Sequence, residues 1–273
     1  MPLRVGIVNY LNSKPLAWSF LKGLHQDVLQ AEYDSPAEVA ERLAAGRLDV
    51  GLIPSIEVQR IPGLRLLPGL CVAATREVRS VLLVLGRPVE QVERVALDLN
   101  SRTSAALVRI LLQDRYGRAP QCITAPPVLD RMLAEADAAL LIGDPALRVD
   151  RQRYRVLDLA AEWRQLTGLP FVFAVWAVRK EVDLPGLEVY FEDSLATGLA
   201  ELEELIGGAS RELGLDAGEL RRYLTENLSF RLGRDELAGL EEFFRRAREH
   251  GLIAGLRPIE FWAPCSAAGD SVE

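Results

Sequence analysis

Strand and helix signals alternate along most of this chain, and the pattern runs through twice. RVGIVNYLNS, from Arg4, has a loose counterpart in RVALDLNSRTS, from Arg94. LAAGRLDVGLIPS, from Leu43, is matched by LAEADAALLIGDPAL, from Leu133, so both pairs lie about ninety residues apart. In each half a strand ends in a polar loop that enters a helix. A later helix then feeds an Asp that starts a further strand. This βαβ grammar makes a parallel sheet the default. Chance similarity among α/β segments is one explanation of the repeat; the other is a chain built as two α/β lobes.

Local signals give the elements. Arg4 to Val8 reads as a strand and Pro15 to Leu24 as a short helix that Pro15 opens. Ser35 caps a helix through Ala45, with Pro36 at its first position and Glu38 at the capping-box position. Gly46 ends it, and Val50 to Ile53 is the next strand. SVLLVL, from Ser80 to Leu85, reads as a crossover strand before the Gly86-Arg87-Pro88 break. PFVFAVWAVR, from Pro170, carries the chain back, and two crossovers make a hinge. The expected division is residues 1–86 with 178–273 in one lobe and 87–177 as an inserted lobe. Residues 187–250 read as helical and are expected on the first lobe, with a frayed polar tail after Pro264.

Charge and residue usage exclude several functions. The net charge is −7 and no segment concentrates Lys and Arg, which argues against nucleic-acid and membrane-surface partners. No run approaches the roughly 20 apolar residues of a membrane span. The N-terminus lacks the shape of a signal peptide, so a cytoplasmic location is expected. Cys71, Cys122 and Cys265 are scattered and odd in number, which fits reduced thiols. His25 and His250 are the two histidines, and neither falls on a loop that could form a site, so no metal is expected.

Ligands of open α/β sheets bind beyond the carboxyl ends of the strands. Four loops meet that rule: NYLNS (9–13), IPS (53–55), NSRTS (100–104) and IGDPA (142–146). In two facing lobes they converge on one cleft. Asn9, Asn12, Ser13, Ser55 and Gly143 belong to these loops. Ser101, Arg102, Thr103 and Ser104 crowd the start of an apolar helix, where free N–H groups and the helix dipole favour a carboxylate or phosphate. Arg102 either adds a planar donor fork or sits on the surface. Asp144 either accepts from a substrate hydroxyl or forms an Asx turn before Pro145. Ser80 faces either the cleft or the core. Phe171 is either strand core or a wall of the cleft. This residue inventory reaches a small anionic ligand and does not separate a binding protein from an enzyme.

Taken together, VGIVNYLNSKPL, SRTSAALVRILL, AALLIGDPAL, TGLPFVFAVWAVR and YLTENLSFRLGRDELAGLEEFF resemble the chorismate dehydratase family, which serves the futalosine route to menaquinone. The resemblance covers most of the chain. It implies a two-lobed periplasmic-binding-protein-like fold of type II with an interlobe cleft and two hinge crossovers. It further implies a hydro-lyase that converts chorismate to 3-[(1-carboxyvinyl)oxy]benzoate and water, without a cofactor. Asn12 and Ser80 match family site positions and would hold the enolpyruvyl carboxylate and the departing hydroxyl, with Asp144 as a reserve acid or base. Few bases are on offer, so the substrate's own carboxylate is expected to take the ring proton. Two other readings stay open: a dihydroxynaphthoate synthase of the same route, expected to use a histidine, and a solute-binding protein for a small carboxylate. Oligomeric state is left open.

Overall fold

The computed structural model describes residues 1–263. Cys265 and the tail that follows Pro264 lie outside the described residues. Among the described residues eleven strands form two sheets: β1 (Leu3–Val8), β2 (Leu29–Asp34), β3 (Val50–Pro54), β4 (Leu64–Ala74), β5 (Val81–Leu85), β6 (Arg94–Asp98), β7 (Gln121–Ala125), β8 (Ala138–Ile142), β9 (Arg155–Asp158), β10 (Phe171–Arg179) and β11 (Ser229–Leu232). The first sheet has the order β11-β4-β10-β3-β1-β2 and the second β7-β6-β8-β5-β9.

The repeat is visible atom by atom. In the first sheet β1 runs parallel to β2 and β3; in the second β6 runs parallel to β7 and β8. Arg4 N donates to Asp49 Oδ2 at 2.8 Å while Asp49 N donates to Arg4 O at 2.9 Å. Arg94 and Asp137 make the same exchange, both bonds 3.0 Å. The Asp read from the sequence as a strand start thus locks the first residue of the neighbouring strand in each half.

The two halves also exchange a strand. Antiparallel β10 lies against β3, and antiparallel β5 occupies the equivalent place against β8. Val81–Leu85 therefore belongs to the second sheet and Phe171–Arg179 to the first. Sheet membership changes between Ala74 and Val81 and again between Asp158 and Phe171, ahead of the expected boundaries at 86 and 178. The physical reason is that an apolar strand covered on both faces fits either sheet; the hydrogen-bond ladder, not the pattern, assigns it. Buried Asp158 ties the two crossings together. Its carboxylate accepts from Val78 N and Arg79 N of the outgoing segment and from Ala160 N at the start of the returning helix Leu159–Thr167.

Side chains alternate across β5. Val81 and Leu83 join the large core, which is continuous through both sheets, whereas Leu82 and Val84 pack with Met132 and Leu141 on the outer face. The C-terminal stretch is not wholly helical. Helices Leu187–Ala200, Leu202–Leu213 and Ala217–Arg222 lead through a π turn, Tyr223–Asn227, to the strand β11, and helix Arg234–Glu249 follows. Phe230 is buried as β11 extends the first sheet along β4, so the local pattern yields to an open sheet edge.

The chain after β1 turns sooner than expected. A 3₁₀ helix spans Leu11–Ala17 with Pro15 inside it, followed by the helical turn Trp18–Leu21. Ser13 Oγ donates to the carbonyls of Val8 and Tyr10, which tightens the chain immediately beyond the strand. The helix Leu187–Ala200 then crosses closely above. A Cβ at Gly198 would stand 2.3 Å from Pro15 O, so this crossing requires glycine. The helix Pro36–Ala44 forms as read: Ser35 Oγ accepts from Glu38 N and donates to the Glu38 carboxylate.

Candidate active site

The two sheets meet around a cleft that opens to solvent. From the first sheet come Val8 at the end of β1, Tyr10, Asn12 and Ser13 beyond it, Pro36, and Leu52 and Pro54 of β3. From the second come Val81, Asn100 to Ser104, Ile142 and Gly143. Phe173 and Ala174 of β10 close one wall.

Several expected residues do converge. Asn12, Ser101, Arg102, Thr103, Ser104 and Gly143 all line the cavity. The helix Thr103–Tyr116 aims its first turn at it. Ser101 Oγ, just ahead of the helix, accepts from Ala105 N in its first turn at 3.1 Å. Thr103 Oγ1 accepts from Ile56 N at 3.2 Å, a bond between the sheets. Arg102 lines the rim, where its guanidinium pairs with Glu41 at 2.5 Å.

Others stand elsewhere. Asn9 is exposed outside the cavity, because the strand's alternation turns it away from the side that Val8 and Tyr10 present. Ser55 is buried behind the wall and donates to Val172 O at 2.8 Å. Asp144 does not line the cavity; its Oδ1 accepts from Leu11 N at 3.0 Å and clasps one sheet's loop to the other's. Burial raises the Asp144 carboxyl above the usual range, and the Leu11 N–H bond opposes that rise. Phe171 is core, ringed by Trp163, Phe173 and Phe243 at centroid separations of 4.7–5.3 Å. A β-bulge between Val172 and Ala174 breaks the alternation and turns both Phe173 and Ala174 toward the cavity. Ser80 is fully buried directly behind the wall that its neighbour Val81 forms, and its carbonyl accepts from Gly143 N at 2.8 Å.

Three residues were not singled out from the sequence. Tyr10 crosses from the first sheet to lie on Gly143, where an added Cβ would fall 2.6–2.8 Å from three ring carbons. Gly143 has φ +63, so both its backbone and its space favour glycine. Asn100, whose N–H is held by Asp98 Oδ1 at 3.0 Å, faces the Tyr10 hydroxyl. Burial first, then the charges of Asp98 and Asp144, raises the Tyr10 phenol well above its ordinary value, so it stays protonated. Tyr10 and Asn100 lie inside quoted loops, and only the spacing of the lobes distinguishes them from their neighbours. Tyr223 opens the quoted stretch YLTENLSF, but nothing in that stretch marks it as a site residue.

Chemically the lining is hydroxyls, amides, a helix N-terminus and one arginine. Among the described residues that line it there is no carboxylate, imidazole, thiol or amine. His25 pairs with Asp193 at 3.1 Å and His250 with Asp114 at 2.9 Å, both half-buried and away from the cavity. No group of three or more His, Cys, Asp or Glu side chains among the described residues could hold a metal ion. Nor is any described helix long and apolar enough to cross a membrane.

Known proteins bear on this arrangement. A family model described as menaquinone biosynthesis matches residues 3–249. Chorismate dehydratase of Thermus thermophilus is 32% identical over 261 residues, covering 89% of this chain and 94% of that protein. Chorismate dehydratase of Campylobacter jejuni is 28% identical over 251 residues, covering 89% and 96%. Among solved structures, a protein from Archaeoglobus fulgidus superposes with a TM-score of 0.76 at 18% identity, covering 92% of this chain and 98% of that one. The periplasmic aliphatic sulphonate binding protein of Escherichia coli gives 0.66 at 18% identity, covering 100% and 95%. The fold is thus two-lobed and periplasmic-binding-protein-like.

Proposed function

The chain belongs to the menaquinone-biosynthesis family, and from that premise we propose that it is a chorismate dehydratase acting in the cavity between its two sheets. It is an enzyme of the hydro-lyase type, working in the cytoplasm on a doubly charged small acid. The observation that carries the reading is the composition of the wall: donors for carboxylates, an aromatic face at Phe173, and no side-chain base.

Chorismate carries two carboxylates. The first turn of the helix Thr103–Tyr116, with the hydroxyls of Ser101, Thr103 and Ser104, holds one of them. Asn12 holds the enolpyruvyl carboxylate near the ring. That carboxylate takes the proton from the ring carbon bearing the ether oxygen. The released bonding pair forms a ring double bond as the neighbouring carbon–oxygen bond breaks. The departing hydroxyl collects the transferred proton and leaves as water, and the ring becomes aromatic. Ser80, one residue behind the Val81 wall, steadies the leaving oxygen once substrate seats. The protein contributes orientation and fixed dipoles rather than a base of its own.

This reading also separates the chain from a relative that relies on histidine, because neither histidine reaches the cavity. The test is purified protein with chorismate alone, followed by the absorbance of an aromatic product. Wild type should convert chorismate, and Asn12→Ala and Ser80→Ala should each lower turnover about 100-fold or more. A wild-type protein that binds chorismate and leaves it unchanged is a binding protein, and the proposal then fails.

A further inference from the structure

We propose that Tyr223 is a positioning residue for Asn12 and Ser80, a role that rests on the functional reading above. Tyr223 is 1% exposed, and its hydroxyl has no hydrogen-bond partner among the described residues. Ser80 Oγ, at 0% exposure, likewise lacks one. Two unpartnered hydroxyls buried in one region are unfavourable to folding and call for a reason. The π turn that Tyr223 opens is tied to the segment leading into Ser80, where Asn227 Nδ2 donates to Glu77 O at 3.2 Å; Ser80 and Asn12 are the polar side chains that face the Tyr223 phenol, and neither meets it with full hydrogen-bond geometry. Asn12 continues the set into the cavity that it lines.

The backbone supports the same conclusion. Tyr223 opens the π turn Tyr223–Asn227, where Leu228 N reaches back to Tyr223 O at 3.2 Å. Such widened turns re-aim a side chain relative to the helix that precedes them, and they concentrate at functional sites. Burial, with the charges of Asp144 and Asp158 adding to it, holds the phenol neutral far into the alkaline range. A neutral phenol both donates and accepts. It can therefore fix one orientation of the Asn12 amide and one rotamer of the Ser80 hydroxyl when substrate draws the three together. Tyr223 does not itself line the cavity, so its effect on the reaction passes through those two side chains.

The test is Tyr223→Phe, measured for chorismate turnover and for melting temperature beside wild type, and repeated in a Ser80→Ala background. Misplacing the reacting groups should lower kcat about 10- to 100-fold, with KM changing far less. The melting temperature should be equal or higher, since the substitution removes an unpartnered buried hydroxyl and keeps the ring. In the Ser80→Ala background the further loss should be smaller than in wild type, because only the share exerted through Asn12 remains. An unchanged kcat, a fall in melting temperature, or a full multiplicative loss in the Ser80→Ala background each overturns the assignment. Wild type that leaves chorismate unchanged overturns the functional reading itself, and this assignment with it. Wild-type turnover with an unaffected Tyr223→Phe overturns the assignment alone.

Discussion

Replacing Gly143 by alanine probes the contact on which the cavity's shape depends. Gly143 sits at φ +63, where a side chain crowds its own carbonyl at about 1–2 kcal/mol. The new Cβ would also lie 2.6, 2.7 and 2.8 Å from Cδ2, Cγ and Cδ1 of Tyr10. The ring must move, and overpacking of this kind adds about 1–3 kcal/mol. Gly117 supplies the control. It has the same φ of +63, but nothing lies within 4 Å of its would-be Cβ, so Gly117→Ala carries the backbone term alone. Taking about 3 kcal/mol for Gly143→Ala, the melting temperature should fall ~6–12 °C, and Gly117→Ala should fall by roughly half of that or less. Calorimetric melts of the two variants measure the difference. Gly143→Ala should also raise KM for chorismate, because Tyr10 is displaced within the cavity, while Gly117→Ala leaves KM alone. Equal melting temperatures, or an unchanged KM in Gly143→Ala, would refute the claim that Tyr10 and Gly143 set the wall.

Two further outcomes follow from burial. Phe171→Ala should cost about 3–5 kcal/mol in chemical denaturation, as for other buried aromatics, with KM of the folded fraction unchanged; a raised KM at wild-type stability would return Phe171 to the cavity wall. Burial raises the Asp98 carboxyl above its usual range, against the Asn100 N–H bond, and its Oδ2 has no partner. The folded state then binds that proton more tightly than the unfolded chain does. The resulting penalty is full above the native pKa and vanishes below the unfolded value of about 3.9. Asp98→Asn should therefore gain most in melting temperature over wild type at neutral pH, with the gap closing as pH falls toward 4. A gap that widens on acidification contradicts the sign.

Much of this architecture was legible in the sequence because it rests on local chemistry. Ser35, Pro36 and Glu38 announce a capped helix. Arg4 with Asp49 and Arg94 with Asp137 mark the same junction twice. The crowded start of the Thr103 helix and Asn12 after β1 fall on strand ends, which the fold brings together. The remainder depends on partners distant in the chain. Nothing in SVLLVL says which sheet will hydrogen-bond it, so the lobe boundaries shift with the exchanged strands. Phe171 and Phe173 share a pattern, and only the bulge beside Ala174 sends one to the core and the other to the cavity. Asp144 reads as a loop carboxylate until Leu11, from the other half, is found donating to it. Tyr223 sits in a polar helix-like stretch, and its burial at the start of a π turn is something no local pattern announces.

The central claim is that a small dianionic acid binds between the two sheets, against the first turn of the Thr103 helix and Asn12. A crystal structure with 3-[(1-carboxyvinyl)oxy]benzoate tests it most directly. The account predicts one carboxylate within hydrogen-bonding distance of Ser101 to Ser104, the other beside Asn12, and the ring against Phe173. Product bound elsewhere, for example in the separate cleft lined by Arg87, Arg94 and Asp137, with this cavity empty, would contradict it.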